Sequence, residues 1–331
     1  MPSQNLGACA PIPAAAWSIK ESACAGKKTW TLCWRWGEGS AIDSSKAIAA
    51  GAVYEGDFWD FYQGKPVEHA LPIGTVLTIA AAGSEGSPDS VITLEDGMLK
   101  RGATGEGFRP KFSILNPELT QTLPPYQTAA GITDIMAHLF ERYFTNTKEV
   151  EATDRVIEGL LMTMIHEGPR VIADPDNYEA RANIMWAGML AHNNCCGVGR
   201  GQDWASHDIE HELSALYDCT HGAGLAVVVP AWMTYNLNHD VMRFAQLASR
   251  VWGCSMDFAC PEFTARAGIQ CLKNFLKSIG MPGTLKELGA KEEDIPRMAH
   301  QACWGNGRAG TIGGFVSLAE KDVEGIYRLM L

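Results

Sequence analysis

The hydrophobic pattern divides the chain in two. Between Ser40 and Leu123 the texture is α/β: an alanine-rich helix over Ala41–Ala52, a strand within "PIGTVLTIA", a polar loop at "AGSEGSPDS" and a further run, "KFSILNP". Pro124-Pro125 then breaks the chain. From there to Leu331 the apolar residues recur at helical spacing, in long amphipathic segments with Pro or Gly at their joints. One stripe is Ile132, Ile135, Met136, Leu139, Phe140 and Tyr143; another is Ala205, Ile209, Leu213 and Leu216. Residues 1–36 carry no clear period, and no repeat interrupts the rest. The predicted organisation is an α/β domain over residues 1–123, its first 36 atypical, followed by an all-helical domain over 124–331.

Composition narrows the function classes. A chain of 331 residues with 46% hydrophobic content can bury two moderate cores. A net charge of −11 without any Lys/Arg cluster excludes a nucleic-acid surface. No apolar run reaches the length of a membrane span, and "MPSQNLGACAPIPAAAW" lacks both the basic start and the apolar core of a signal peptide. Ten cysteines without a CxxC pair fit reduced thiols better than a disulfide framework or a cysteine zinc site. The expectation is a soluble cytoplasmic protein.

Two helical segments carry candidate chemistry. In "GITDIMAHLFERYFT", Asp134 and His138 lie four apart and share the face opposite the apolar stripe. Such a pair is common on a solvated face, and it is also half of a metal site for Fe(II) or Zn(II). The segment "WASHDIEHELSALYDCTHGAGLAVVVP" adds His207, His211 and His221, three of the nine histidines within fifteen positions. His207 and His211 share a face, while Gly222, Ala223 and Gly224 after His221 permit close packing. Spacing alone does not say which two of the three complete the site. HxxxH lacks the glutamate of the metalloprotease HExxH, so a hydrolase gains no support.

These motifs, with "LNPELTQTLPP", "NYEARANIMWA" and "DVEGIYRLML", resemble the iron-containing alcohol dehydrogenase family from about Gly37 to Leu331, in particular its butanol dehydrogenase and aldehyde reductase branch. The resemblance implies a dehydroquinate synthase-like fold: a dinucleotide-binding α/β domain, a helical metal-binding domain, and an active site between them. It implies metal ligands Asp134, His138, His207 and His221, with His211 beside metal and substrate as a proton relay. "GEGSAIDSSK" is similar to the family's GGGSxxDxxK turn, matching at Gly37, Gly39, Ser40, Asp43 and Lys46. Glycines let the backbone approach a pyrophosphate, and a helix N-terminus favours its charge. "LTIAAAGSEGS" is similar to the family's TTxxGTGSE loop at Thr78, Gly83, Ser84 and Glu85, and Lys100 sits where the family has a basic residue near the cofactor. The implied activity is metal-dependent hydride transfer between NADH or NADPH and a small alcohol or aldehyde, by a homodimer. The alternatives are a glycerol dehydrogenase-like polyol oxidoreductase and a metal-binding remnant with an incomplete cofactor site.

The residues entering the turn do not fit. The family feeds it with an apolar strand such as Leu-Ala-Val, whereas this chain has Cys33-Trp34-Arg35-Trp36-Gly37. That pentapeptide can be written TGT TGG CGG TGG GGG, which two bases later reads Leu-Ala-Val-Gly. Residues before about Gly37 are therefore expected to be an out-of-frame reading joined to an authentic remainder, with Glu38 at the junction. The half of the cofactor site they would supply is then incomplete.

Overall fold

The glycine-rich turn connects a strand to a helix, as its chemistry requires. The structure is a computed structural model describing residues 33–37, 39–95, 97, 99–305 and 308–331. Residues 1–32 and Glu38, on which much of the out-of-frame expectation falls, lie outside the described residues, as do the side chains of residues 33–36. The α/β half comprises β1 (Cys33–Gly37), α1 (Gly39–Gly51), α2 (Trp59–Tyr62), β2 (Ile73–Leu77), β3 (Asp89–Leu94), β4 (Leu99–Thr104) and β5 (Phe112–Ile114). Strands β1, β2 and β5 form a parallel sheet in that order, with Cys33 opposite Ile73 and Gly74 opposite Phe112. Every residue of β2 is buried, as parallel strands covered on both faces are.

The sequence reading missed the β3–β4 hairpin, which pairs antiparallel from Asp89 opposite Thr104 to Leu94 opposite Leu99. Its first strand begins at the end of the expected loop, and its second, "LKRGAT", has the charge and glycine of a turn region. Lys46 secures the loop leading into the hairpin. Its side chain is fully buried and its Nζ donates to the carbonyls of Ser84 (2.7 Å), Ser87 (3.1 Å) and Asp89 (2.6 Å). Burial pulls this ammonium down to about 8, against the opposing pull of Asp43.

The second half is built on α3 (Pro125–Tyr143), which starts with proline in its first turn, where no backbone donor is lost. There follow α4 (Glu151–Ala173), α5 (Tyr178–His192), α6 (Ala205–Tyr217), α7 (His221–Asn236), α8 (Val241–Trp252), α9 (Pro261–Ser278), α10 (Ile295–Trp304) and α11 (Glu320–Arg328). It is not strictly helical: the two-residue strands β6 (Thr311–Ile312) and β7 (Leu318–Ala319) pair antiparallel before α11. Residues 128–143 of α3 are buried at every position, so the face bearing Asp134 and His138 is interior and not solvated. Glycines set the approach of its neighbours. A Cβ at Gly222 would stand 1.9 Å from the Ala130 carbonyl oxygen, and one at Gly131 would stand 2.3 Å from that of Ala80. No helix of the described residues is long and apolar enough to cross a membrane.

Replacing Lys46 by methionine strands the three carbonyls and the buried Asp43. Breaking such a buried charge constellation costs about 3–5 kcal/mol. Urea unfolding of Lys46→Met should show that loss; a change below about 1 kcal/mol, the worth of one ordinary hydrogen bond, would mean the loop is held by other contacts.

Candidate metal centre and cofactor cleft

Three histidines converge on one oxygen of a fourth donor, Asp134, the four coming from three helices. Asp134 and His138 come from α3, His207 from the first turn of α6, and His221 from the start of α7. Donor atoms of Asp134, His138 and His207 lie within 4.8 Å of one another, and all three residues are buried. The Nε2 atoms of His207 and His221 are 3.7 and 3.8 Å from Asp134 Oδ1. These spacings are too long for hydrogen bonds and suit two donors flanking an ion. Asp134 Oδ1 and His207 Nε2 are both buried with no hydrogen-bond partner. Native interiors rarely leave such atoms unpaired, and a cation between them satisfies both. The donor set, one carboxylate and three imidazoles, suits Fe(II) or Zn(II).

The ring atoms that turn away from this point have partners of their own. His207 Nδ1 is 2.8 Å from Glu141 Oε1, and His221 Nδ1 contacts Glu210 Oε2. His138 differs: its Nδ1 lies 2.9 Å from the Asp134 carbonyl oxygen and also 3.2 Å from Asp134 Oδ1, facing the common point. Burial alone would lower the His207 pKa, but Asp134 and Glu141 outweigh it and raise the imidazole to about 9. A second group, Glu210, His211 and His221, also lies within 4.8 Å. The Lys100 ammonium already stands beside it, 3.7 Å from Glu210 Oε2 and 3.4 Å from His221 Nδ1. His211 belongs to this outer group, its ring centroid 5.5 Å from that of His221 and 6.4 Å from that of His207. Burial, then the Lys100 charge, hold the His211 imidazole well below the ordinary histidine range.

These groups open onto one cleft of about 960 Å³ between the two halves. Asp134, His138, His207, His211 and His221 line it, and so do Gly39, Ser40, Asp43, Ser84 and Lys100. Gly39 and Ser40 begin α1, so a helix N-terminus lines the same cleft as the metal donors. Asp43 turns inward, accepting from Ser84 Oγ and from Val91 N (2.9 Å). Gly37 and Thr78 are not among the lining residues; the Thr78 amide donates to the Gly37 carbonyl at 3.2 Å. Lys100 faces the histidine end of the cleft and not the glycine-rich turn.

Sequence reasoning missed Glu141 and Glu210, and it missed His192. The His192 ring packs on His138 with centroids 4.2 Å apart. Arg142 can only donate, so His192 Nδ1 accepts from it (3.1 Å) and Nε2–H is left for Asp89 (3.0 Å). Burial alone would raise the Asp89 pKa, but His192 outweighs it and holds the carboxyl at about 2.

The chain also resembles known proteins along most of its length. Residues 36–117 match the family Iron-containing alcohol dehydrogenase, and residues 128–331 match Fe-containing alcohol dehydrogenase family, C-terminal. The chain belongs to the iron-containing alcohol dehydrogenase family. It is 42% identical over 294 residues to NADH-dependent butanol dehydrogenase A of Clostridium acetobutylicum, covering 88% of this chain and 75% of that protein. The NADPH-dependent aldehyde reductase YqhD of Escherichia coli is 36% identical over 266 residues, 79% of this chain and 68% of its own length. The crystal structure of an NADH-dependent butanol dehydrogenase A from Thermotoga maritima superposes with a TM-score of 0.90 at 38% identity, covering 96% of this chain and 80% of that one. The expected architecture, a dinucleotide-binding α/β domain and a helical metal-binding domain, is thus that of the iron-containing alcohol dehydrogenases.

Each donor should matter for the metal. Asp134→Ala, His138→Ala, His207→Ala and His221→Ala are expected to lower occupancy sharply on elemental analysis; full occupancy in the His207 variant would refute the assignment. Loading must also displace the His207 proton. With that imidazole raised to about 9, apparent affinity should climb up to about tenfold per pH unit between pH 7 and 9 and then level. A flat profile in metal titrations would show that His207 is not protonated beforehand.

Proposed function

We propose that this protein is an NAD(P)H-dependent alcohol dehydrogenase or aldehyde reductase acting on a small alcohol or aldehyde, with a divalent metal of the iron type. The observation that carries the proposal is the unpartnered pair Asp134 Oδ1 and His207 Nε2, set in the same cleft as the N-terminus of α1. Asp134, His138, His207 and His221 would hold the metal. When bound, it supplies a Lewis acid that polarises the substrate carbonyl and stabilises the developing alkoxide, while the nicotinamide supplies hydride. The N-terminus of α1, at Gly39 and Ser40, would border a pyrophosphate, with Ser84 and Asp43 shaping the adjoining wall. Gly37 and Thr78 support that turn from behind, through their backbone bond.

His211 would pass the proton between alkoxide and solvent. Its depressed pKa keeps it a neutral imidazole, able to accept at one nitrogen and donate at the other. A positioned acid–base group of this kind contributes roughly 10²–10⁴-fold. We place the domain boundary at Pro124-Pro125, where the chain crosses from the sheet to α3. The family resemblance supports a homodimer and a cytoplasmic location.

A second reading has one specific observation in its favour. The family match begins at residue 36, two residues before the junction that the frame argument places at Glu38. We propose that the preceding residues are an out-of-frame reading, which leaves a metal-binding protein with a weakened cofactor site.

His211→Ala should retain metal and lose turnover, measured on one preparation; loss of metal first would make His211 a ligand in place of His207. NAD(P)H oxidation with a short aldehyde, run anaerobically after iron or zinc loading, tests the activity. Titration with NADH and NADPH separates the two readings. Micromolar binding, with an intact coding frame upstream of the Trp-Arg-Trp codons, overturns the out-of-frame proposal; metal uptake without dinucleotide binding overturns the competent enzyme.

A further inference from the structure

The buried acid Glu210 belongs to none of the roles assigned so far. It is fully buried on α6, one residue before His211. Three contacts fix its carboxylate. Ser214 Oγ donates to Oε1, His221 Nδ1 contacts Oε2, and the Lys100 ammonium lies 3.7 Å from Oε2. Gly224 makes the room for it: a Cβ there would stand 2.5 Å from Oε1. Because the carboxylate accepts, His221 Nδ1 carries the hydrogen, and the lone pair is left on Nε2, which faces Asp134 Oδ1 at 3.8 Å. His207 is treated alike by Glu141, so two of the three histidines are oriented by a dedicated carboxylate. Lys100 supplies the cation this outer group requires, which makes it the support of a metal site and not a second metal site.

We infer that Glu210 is a positioning residue for the metal, fixing the tautomer and ring plane of His221, with Lys100 reaching from β4 to balance its charge. The inference rests on the metal reading given above. Carboxylate partners of metal-bound histidines typically contribute 10–100-fold in metal affinity. Lys100 thereby gives the cofactor-bearing half a direct hold on the outer sphere of the metal.

The test is a Co(II) titration of the full chain against a competing chelator, with the visible absorption of the bound ion recorded. Glu210→Gln should weaken Co(II) binding about 10–100-fold and alter the spectrum. The control is Glu212→Gln, two residues along the same helix and equally buried, whose partner Arg101 (3.1 Å) touches no metal donor. It should keep wild-type affinity and spectrum even if it lowers the melting temperature. Wild-type affinity in the Glu210 variant, or an equal loss in the Glu212 variant, overturns the inference. Should Glu210→Gln fail to fold, Ser214→Ala removes one of the carboxylate's restraints; it should weaken binding by a smaller factor, and unchanged affinity overturns the inference in the same way. A wild-type chain that takes up no Co(II) overturns the metal reading itself, before any variant is compared.

Discussion

The geometry of the centre hangs on one buried carboxylate, Glu141, at the start of α6. A helix begins with backbone N–H groups that have no partner within it, and α6 receives no side-chain cap from Trp204, the residue that enters it in a left-handed conformation (φ 72°). Glu141, projecting from α3, takes that place. Its Oε2 accepts from Trp204 N (2.8 Å), and its Oε1 accepts from His207 N (3.0 Å) and His207 Nδ1 (2.8 Å). The Glu141 carbonyl accepts a further bond from Asp203 N at 2.8 Å. The start of one helix is thus locked to the last turn of another, just after His138. The position of His207 relative to Asp134 is set by one buried carboxylate gripping the backbone of α6, reinforced by the Asp203–Glu141 backbone bond. A negative charge at a helix N-terminus is also electrostatically favourable, which eases the cost of burying it.

The same economy of buried charge joins the two halves. Lys100 and Arg101 are neighbours on β4, and they meet Glu210 and Glu212 on α6. On the far side of the cleft, Arg142, His192 and Asp89 run from α3 through α5 to β3 in a chain of donors and acceptors whose order is fixed by the arginine. Polar ties of this kind contribute little net stability once desolvation is counted, but they are intolerant of misplacement. The hairpin touches both of them. Through Lys100, Arg101 and Asp89 it ties the α/β half to α5 and α6 on the walls of the cleft.

The features legible in the sequence were those with a local period. The stripe through Ile132, Ile135 and Leu139, and the i,i+4 spacing of Asp134 and His138, follow from the helix repeat alone, and the structure buries both faces of that helix. His221 was visible because small residues follow it, and Gly222 does abut Ala130. Glu141 and Glu210 were not legible, because an acid on an amphipathic helix looks like surface charge until a partner across the core is known. Glu141 stands three residues after His138, and Glu210 stands between two histidines; that adjacency was the available signal. Asp89 and His192 belong to different halves, so no spacing links them. The hairpin was hidden by "LKRGAT", whose lysine and arginine are there to meet acids on α6, not water.

The odd tripeptide before the turn has a physical reading in the sheet. β1 pairs with β2 through its backbone, Arg35 standing opposite Thr75 and Trp36 opposite Val76. Backbone ladders accept any residue except proline, so the pairing itself is blind to whether Trp-Arg-Trp or Leu-Ala-Val occupies the strand. Burial is not blind. Thr75 and Val76 are inaccessible, and strands beside such a core are ordinarily continuous apolar runs. The helical half makes no demand on β1, since α3, α6 and α7 assemble the metal donors without it. The burden of an altered strand therefore falls on the turn at Gly37 and the dinucleotide it serves, and the metal centre stands apart from it.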